Sequence, residues 1–433
     1  MKKKLLVISI DSMVEEDVPI LRGLPNFSRV LENASWVRKM ESTYPTLTHS
    51  IHTSIITGCY PGRHGVIGNE QFIPGDFHAP WYEDISWVKA RMLPERAADL
   101  GYTAAYVCWP LTRGAKAEWV LHRAGLRVPP EDRRTVMERL STPGLLDALP
   151  ADCLDSWGLL PHFEASDRFS FRAAAALYRM AQPDILYMHI ILVDHVRHVH
   201  GVFSPEIARA YRFLDGELGL LLDALDETGL YPSTVINLTS DHGHLDISRV
   251  VSLNRFLRDR GLIQTDEEGR LLSWRAYAHA CALSAQIYIR DRDPAVAGEV
   301  KALLEENGGA LGVSRVFTAR EARASYGLWG GFDLVAETDG DTAFSSDYTA
   351  PLETRAGQED YRYSRATHGH LPEKGPQPTF FLRDPFRREP VVLERGRIVD
   401  QAPTLARLLG FDLPGCDGRP ILELTGGSYG DLV

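Results

Sequence analysis

Short apolar runs alternate with segments of helical period along this chain. Leu5–Ile10, Thr103–Cys108, Ile185–Ile191, Val235–Thr239 and Thr379–Leu382 have the length of strands, and helical patterns fall near Pro25–Asn33 and Ala402–Leu409. That alternation predicts an α/β fold, with a mostly parallel central sheet flanked by helices on both faces. In such sheets functional groups gather at the C-terminal ends of the strands. Asp11 follows LLVISI, Asp194 follows LYMHIILV and Asp241 follows VINLTS, so three aspartates are expected on one rim.

The texture changes between Leu253 and Thr367. A strand at Leu283–Ile289, a helix near Ala295–Glu306 and a strand at Val313–Phe317 precede a polar, Gly- and Asp-rich stretch, Glu337–Asp360. This predicts a small α+β cap insertion, 253–367, ending in an irregular loop region. The catalytic core is then 1–252 together with 368–433. A chain of 433 residues exceeds the usual size of a single core, which fits one large domain with an insertion.

Composition narrows the class. At 44% apolar and 24% charged residues the chain reads as an ordinary globular protein. A net charge of −11 argues against partners such as nucleic acid polymers or an anionic membrane, and leaves room for a small anionic substrate drawn in by a metal. Five scattered cysteines, Cys59, Cys108, Cys153, Cys281 and Cys416, show no C-x-x-C spacing and predict no disulfide framework. Met1-Lys-Lys-Lys before Leu5–Ile10 imitates a signal peptide. Its apolar run stops at Asp11, so it reads as a first strand, and the expected location is cytoplasmic. No run approaches the roughly 20 apolar residues of a membrane span. The sequence assigns no oligomeric state.

The densest chemistry lies in Tyr44–Asn69, YPTLTHSIHTSIITGCYPGRHGVIGN, which places Thr48 at a helix start. A helix N-terminus carries unpaired N–H groups and positive dipole, so a hydroxyl there can be held beside a phosphoryl group. Thr46 or Thr48 would equally suit a helix cap. Asp194 and His198 stand in D-H-V-R-H, and Asp241 and His242 in S-D-H-G-H. Such donors suit zinc, with manganese or iron as alternatives. His189, His195, His198 and His200 crowd one strand exit, and His368 and His370 form a further pair. The C-x-P-x-R string Cys59–Arg63 resembles the sulfatase formylglycine motif. It follows Thr57-Gly58 rather than preceding it, so Cys59 is expected as a neutral thiol past the helix.

These motifs, in this order, resemble the alkaline phosphatase superfamily, in particular its type I phosphodiesterase/nucleotide pyrophosphatase family and the related phosphonoacetate hydrolases. The strand VISIDS, the segment PTLT leading into SIITGCYPGRHGVIGN, Asp194/His198, Asp241/His242 and His368-Gly369 carry the resemblance. It implies an alkaline phosphatase-like core and two divalent metal ions, zinc being expected. Asp194, His198 and His368 would hold one ion, and Asp11, Thr48, Asp241 and His242 the other. Thr48 would be the nucleophile, and Asn69 would donate to a nonbridging phosphoryl oxygen. His195, His200, His244 and His370 receive no ligand role and are expected as loop residues.

Two departures bear on substrate: Leu47 stands where the family often has lysine, and His49-Ser50-Ile51 replaces F-P-N. Tyr82 and Trp87 resemble an aromatic stretch that could stack on a base, or serve as core. The resemblance implies hydrolysis of phosphodiester or phosphoanhydride bonds in a small phosphorylated substrate such as a nucleotide, through a phosphothreonine. The alternatives are a phosphonate C–P hydrolase, a phosphomonoesterase, a mutase, a sulfatase or an inactive metal-binding protein.

Overall fold

The computed structural model describes residues 2–123, 125, 128–154, 162–357, 360–387 and 389–425. At its centre is an eight-stranded sheet. In chain order it contains β1 (Lys4–Ile10), β2 (Ser35–Glu41), β3 (Ala104–Val107), β4 (Trp119–Leu121), β5 (Ile185–Ile190) and β6 (Thr234–Thr239), followed by Phe380–Arg383 and Val392–Arg397. β1 lies between β5 and β6 and is parallel to both, and β3 and β4 continue the parallel array beyond β5. Phe380–Arg383 enters between β6 and β2, antiparallel to each, and Val392–Arg397 pairs parallel with β2.

Side chains of a strand alternate between its faces, and for β1 both faces are apolar. Leu6, Ile8 and Ile10 pack into one core with the helices His162–Met180 and Pro205–Glu227. Leu5 and Val7 pack into another with the helices Thr48–Thr57 and Gln401–Leu408. Burial on both faces is why LLVISI reads as an unbroken apolar run. β2 and Val392–Arg397 escape the sequence reading because they lie toward one edge and are only partly covered, so polar residues interrupt them.

Residues 253–367 hold a second, antiparallel sheet in the order Ala276–Ala280, Ser284–Ile289, Leu334–Thr338, Val313–Thr318. The helices Leu253–Asp259 and Pro294–Glu306 pack on it. Glu337–Asp360, expected as irregular, is more ordered than its composition indicates. Thr342–Ser345 and Glu353–Arg355 flank Arg249–Ser252 in a three-stranded sheet, a partner across the chain that local polarity cannot reveal. Positions 358 and 359 of that stretch, and 426–433 at the end of the expected core, lie outside the described residues. Among the described residues no helix is long and apolar enough to cross a membrane.

One element differs in a way that matters for the site. The strand expected to run through Ile191 ends at Ile190, and the chain turns directly into the helix Leu192–His200. Asp194 and His198 are therefore neighbours on one helical face, four residues apart. No local side chain caps this helix. Asp167, buried in the helix His162–Met180, accepts hydrogen bonds from the N–H groups of Ile191 (3.0 Å) and Leu192 (2.8 Å) instead. A buried carboxylate at a helix N-terminus satisfies orphan donors and meets the positive dipole. Asp167→Ala leaves those donors without a partner and is expected to cost about 1–3 kcal/mol in a urea unfolding measurement. An unchanged midpoint and slope would show that the helix start is held by something else.

Candidate active site

The rim expected from the sequence forms, with Asp11, Asp194 and Asp241 converging beyond the ends of β1, β5 and β6. Asp11 leaves β1 with its N–H on the carbonyl of Ile190 (2.8 Å). The next residue, Ser12, adopts a left-handed backbone at φ 64°, a conformation that costs energy in a residue other than glycine. It aims the Ser12 N–H at Asp241 Oδ1 (3.1 Å) and the Ser12 hydroxyl at His244 Nδ1 (2.8 Å).

Thr48 opens the helix Thr48–Thr57 as its first helical residue, so the capping role considered for it falls to another group. Asn69 Oδ1 accepts from the backbone N–H of His49 at 2.9 Å, which closes the helix start from a distance and leaves the Asn69 amide NH2 for the cavity beside it. Thr46 does not cap either. Its hydroxyl donates to the carbonyl of His370 and accepts from the N–H of Gly369, tying the segment before Thr48 to the His368 loop. Thr48 Oγ1 lies 3.4 Å from His242 Nε2.

The ligand candidates fall into two groups. Around the first, Asp194 Oδ1 stands 3.5 Å from His198 Nε2, 3.7 Å from His368 Nε2 and 3.2 Å from His244 Nε2. His198 donates its Nδ1–H to the carbonyl of Ala366 (2.7 Å), and His368 donates its own to the carbonyl of Thr46 (2.8 Å). Both rings are thus fixed in the tautomer that leaves Nε2 free to bind a metal. Around the second, His242 Nε2 lies 3.2 Å from Asp241 Oδ2 and 3.5 Å from Asp11 Oδ1. Asp11, Asp194 and His242 also have ligand atoms within 4.8 Å of one another.

His244, expected as a loop residue, lies inside the first group. The signal available for it was its spacing two residues past His242 in S-D-H-G-H. His195, His200 and His370 lie outside that group, but His195 and His200, expected in loops, belong to the helix Leu192–His200. His195 stacks on Phe163, His200 is exposed, and His370 Nδ1 donates to the carbonyl of Leu371. A further support was not expected. Arg123 donates to His189 Nδ1 (3.0 Å), and His189 Nε2 donates to Asp11 Oδ2 (3.0 Å), so Asp11 presents its other oxygen inward.

The arrangement suits cations. Asp11 Oδ1, Asp194 Oδ1, Asp241 Oδ2 and His244 Nε2 are buried without a hydrogen-bond partner, and buried charges of this kind are found paired or coordinating metals. Burial, and then the neighbouring Asp241 and Asp194, hold the Asp11 carboxyl well above its ordinary value, and Arg123 only partly offsets this. Burial likewise pushes Asp241 up to about 7. Burial keeps His198, His242 and His244 neutral, the form in which imidazole binds metal.

A cavity of about 300 Å³ opens onto the group, lined among others by Leu47, Thr48, Asn69, Trp81, Tyr361 and Arg362. Tyr82 and Trp87 are not in this lining. They pack edge to face on each other, Tyr82 against Val66 and Leu111. Trp81 lines the cavity instead, its ring perpendicular to that of His49 with centroids 4.9 Å apart and its Nε1–H on Glu70. Adjacent residues of an extended segment face opposite sides, which is how one aromatic enters the cavity while the next enters the core. Cys59 is buried past the helix, where burial pushes its thiol up to about 11, and Arg63 pairs with Asp417 on the surface.

A sequence model of the family "Type I phosphodiesterase / nucleotide pyrophosphatase" matches residues 5–361. The human protein "Ectonucleotide pyrophosphatase/phosphodiesterase family member 1" is 26% identical over 275 residues, covering 59% of this chain and 25% of that protein. The match thus spans about a quarter of the length of that curated relative. Murine ectonucleotide pyrophosphatase/phosphodiesterase 5 superposes with a TM-score of 0.68 at 18% identity, over 96% of this chain and 97% of that one. An inactive variant of that murine protein, in complex with AMP, superposes with a TM-score of 0.66 at 18% identity, over 96% and 97%. These two likenesses are of fold.

The raised carboxyls give the metal-free protein a defined pH dependence. An acid whose pKa rises on folding binds more protons folded than unfolded, so its contribution is present below the ordinary value of 3.8 and is lost as pH climbs through the folded value, about 7 for Asp241. The buried histidines, whose pKa burial lowers, act in the opposite sense over the same range, so the carboxyl contribution is read as a difference. The melting temperature of chelator-treated Asp241→Asn relative to wild type is expected to rise between about pH 4 and pH 7, and added Zn²⁺ to raise wild type more than the variant at and above pH 7. A flat profile with no response to metal would contradict this account.

Proposed function

We propose that this chain, which belongs to the type I phosphodiesterase/nucleotide pyrophosphatase family, hydrolyses a phosphodiester or phosphoanhydride bond through a phosphothreonine at Thr48. The observation that carries the reading is the position of the Thr48 hydroxyl. It stands at a helix N-terminus, 3.4 Å from His242 Nε2, which itself lies 3.2 Å from Asp241 Oδ2 and 3.5 Å from Asp11 Oδ1, two buried carboxylate oxygens without a hydrogen-bond partner.

Asp194, His198 and His368 are suited to hold one divalent ion, and Asp11, Thr48, Asp241 and His242 the other. When bound, such a pair lowers the hydroxyl pKa and neutralises charge on the transferring phosphoryl group, with zinc the favoured ion. Thr48 Oγ1, its proton lost to solvent, attacks phosphorus in line with the departing oxygen, the bond to the leaving group breaks with its electron pair remaining on that oxygen, and a phosphothreonine forms. Water then attacks that phosphorus from the opposite side and regenerates Thr48. Two displacements retain configuration.

The Asn69 amide is aimed by its bond to the His49 N–H, so its NH2 can donate to a nonbridging oxygen without reorganising. Trp81 and Tyr361 offer flat apolar surface to a leaving group or base, which fits a nucleotide-like small substrate. Among the described residues the cavity lining has no lysine, and Arg362 is already engaged by Glu70 and Asp360. A carboxylate-bearing phosphonate would find no unpaired cation in that lining, so diester or anhydride hydrolysis is the reading retained.

Turnover of bis-nitrophenyl phosphate against nitrophenyl phosphate tests the bond class: faster cleavage of the diester is expected, and a preference for the monoester would overturn the assignment. Thr48→Ala should lower turnover by on the order of 10⁴–10⁶-fold, the range seen when a nucleophile acting with its partners is lost. Asn69→Ala should lower kcat by about 10²–10³-fold, as for removal of one preorganised donor. A Thr48→Ala protein retaining wild-type turnover would show the nucleophile to be elsewhere.

A further inference from the structure

We propose that His244 is a fourth protein ligand of the ion held by Asp194, His198 and His368. The inference rests on the metal pair of the proposed function and adds a residue to it.

His244 is fully buried, and its ring lies against the other two, with centroids 4.5 Å from His198 and 5.0 Å from His368. His244 Nε2 lies 3.2 Å from Asp194 Oδ1. That approach is not a hydrogen bond, since both atoms are buried without a hydrogen-bond partner. A buried imidazole nitrogen and a buried carboxylate oxygen left unsatisfied face to face are costly to the fold, and a shared cation removes both costs. The other ring nitrogen is already supported. His244 Nδ1 is 2.8 Å from the Ser12 hydroxyl, whose oxygen can accept a hydrogen bond from the Nδ1–H and so leave the Nε2 lone pair directed inward. Ser12 in turn is held in its left-handed conformation between Asp11 and the Asp241 carboxylate, so one turn supports ligands of both groups.

The consequence concerns coordination. Three protein ligands leave a tetrahedral ion with an open position, whereas four fill it. A fourth ligand from this chain would hold an ion there more firmly than three, at the expense of a position open to substrate. Asp194, shared between the two groups of ligand atoms, is the residue through which a change at His244 would also be felt by the Asp11 and His242 side.

The test is a titration of Co²⁺ into the chelator-treated full chain, with visible absorption and chelator competition as readouts. His244→Ala is compared with wild type and with His198→Ala. Wild type is expected to take two equivalents. His244→Ala should weaken one of them by more than the roughly 10–100-fold that loss of a supporting hydrogen bond costs, and should change the intensity of its absorption band. His198→Ala should affect the same equivalent. If metal-free His244→Ala does not fold by circular dichroism, His244→Gln, which can still bond to Ser12, replaces it in the same comparison. Two equivalents bound by the His244 variant with a loss of about 10–100-fold or less and an unchanged spectrum would overturn the fourth ligand while leaving the metal pair intact. Fewer than two equivalents bound by wild type would overturn the metal pair, and this inference with it.

Discussion

Three carboxylates, Asp11, Asp194 and Asp241, are brought into a space from which water is largely excluded, and the chain supplies too little positive charge there to balance them. Arg123 reaches Asp11 only through His189 and reduces the burden in part. Burying such charges without partners is among the most unfavourable arrangements a fold can contain. Much of the local architecture holds it in place: the left-handed Ser12, the carbonyls of Ala366 and Thr46 that orient two histidines, and the remote cap that Asp167 places on the helix carrying Asp194. These devices cost stability that a bound cation would return.

The same constraint joins the second sheet to the centre. Gly369 runs at φ +100°, and a Cβ there would overlap the carbonyl of Cys281, so the chain passes directly against the segment between Ala276–Ala280 and Ser284–Ile289. The Ser284 hydroxyl donates to the carbonyl of Gly369 (2.6 Å), and Thr46 bonds the same glycine from the other side. Glu337, buried in that sheet, accepts from Tyr44, Lys374 and the N–H of Leu371. His368 is thus positioned between the Thr46–Thr48 segment and the second sheet, and neither can shift without moving its ring.

The strands buried on both faces were legible along the chain because their requirement is local: every residue must be apolar, whichever face it meets. Asp11 and Asp241 were legible for a related reason, since a charged residue at the end of such a run stands where the strand leaves the core. Asp194 was legible as a residue but misplaced in its element, because the turn after Ile190 depends on Asp167, a donor-satisfying group from a distant helix. β2 and the strands of 337–360 were hidden because pairing with remote strands, rather than their own polarity, makes them extended. Which of the adjacent aromatics Trp81 and Tyr82 faces the cavity is not written in composition, because it depends on how their extended segment is set against the core.

By itself the sequence determined the fold class, the order of the motifs and the donor types, because hydrophobic periodicity and chemically distinctive residues at strand ends are properties of short segments. Tertiary structure alone decided which donors meet. It brought His244 to Asp194, turned Asn69 into a distant helix cap and linked Arg123 to Asp11 through His189. It also removed the capping role from Thr48. Each of these is a relation between residues far apart in the chain, set by the packing of the sheet and its helices, and no local pattern of polarity encodes it.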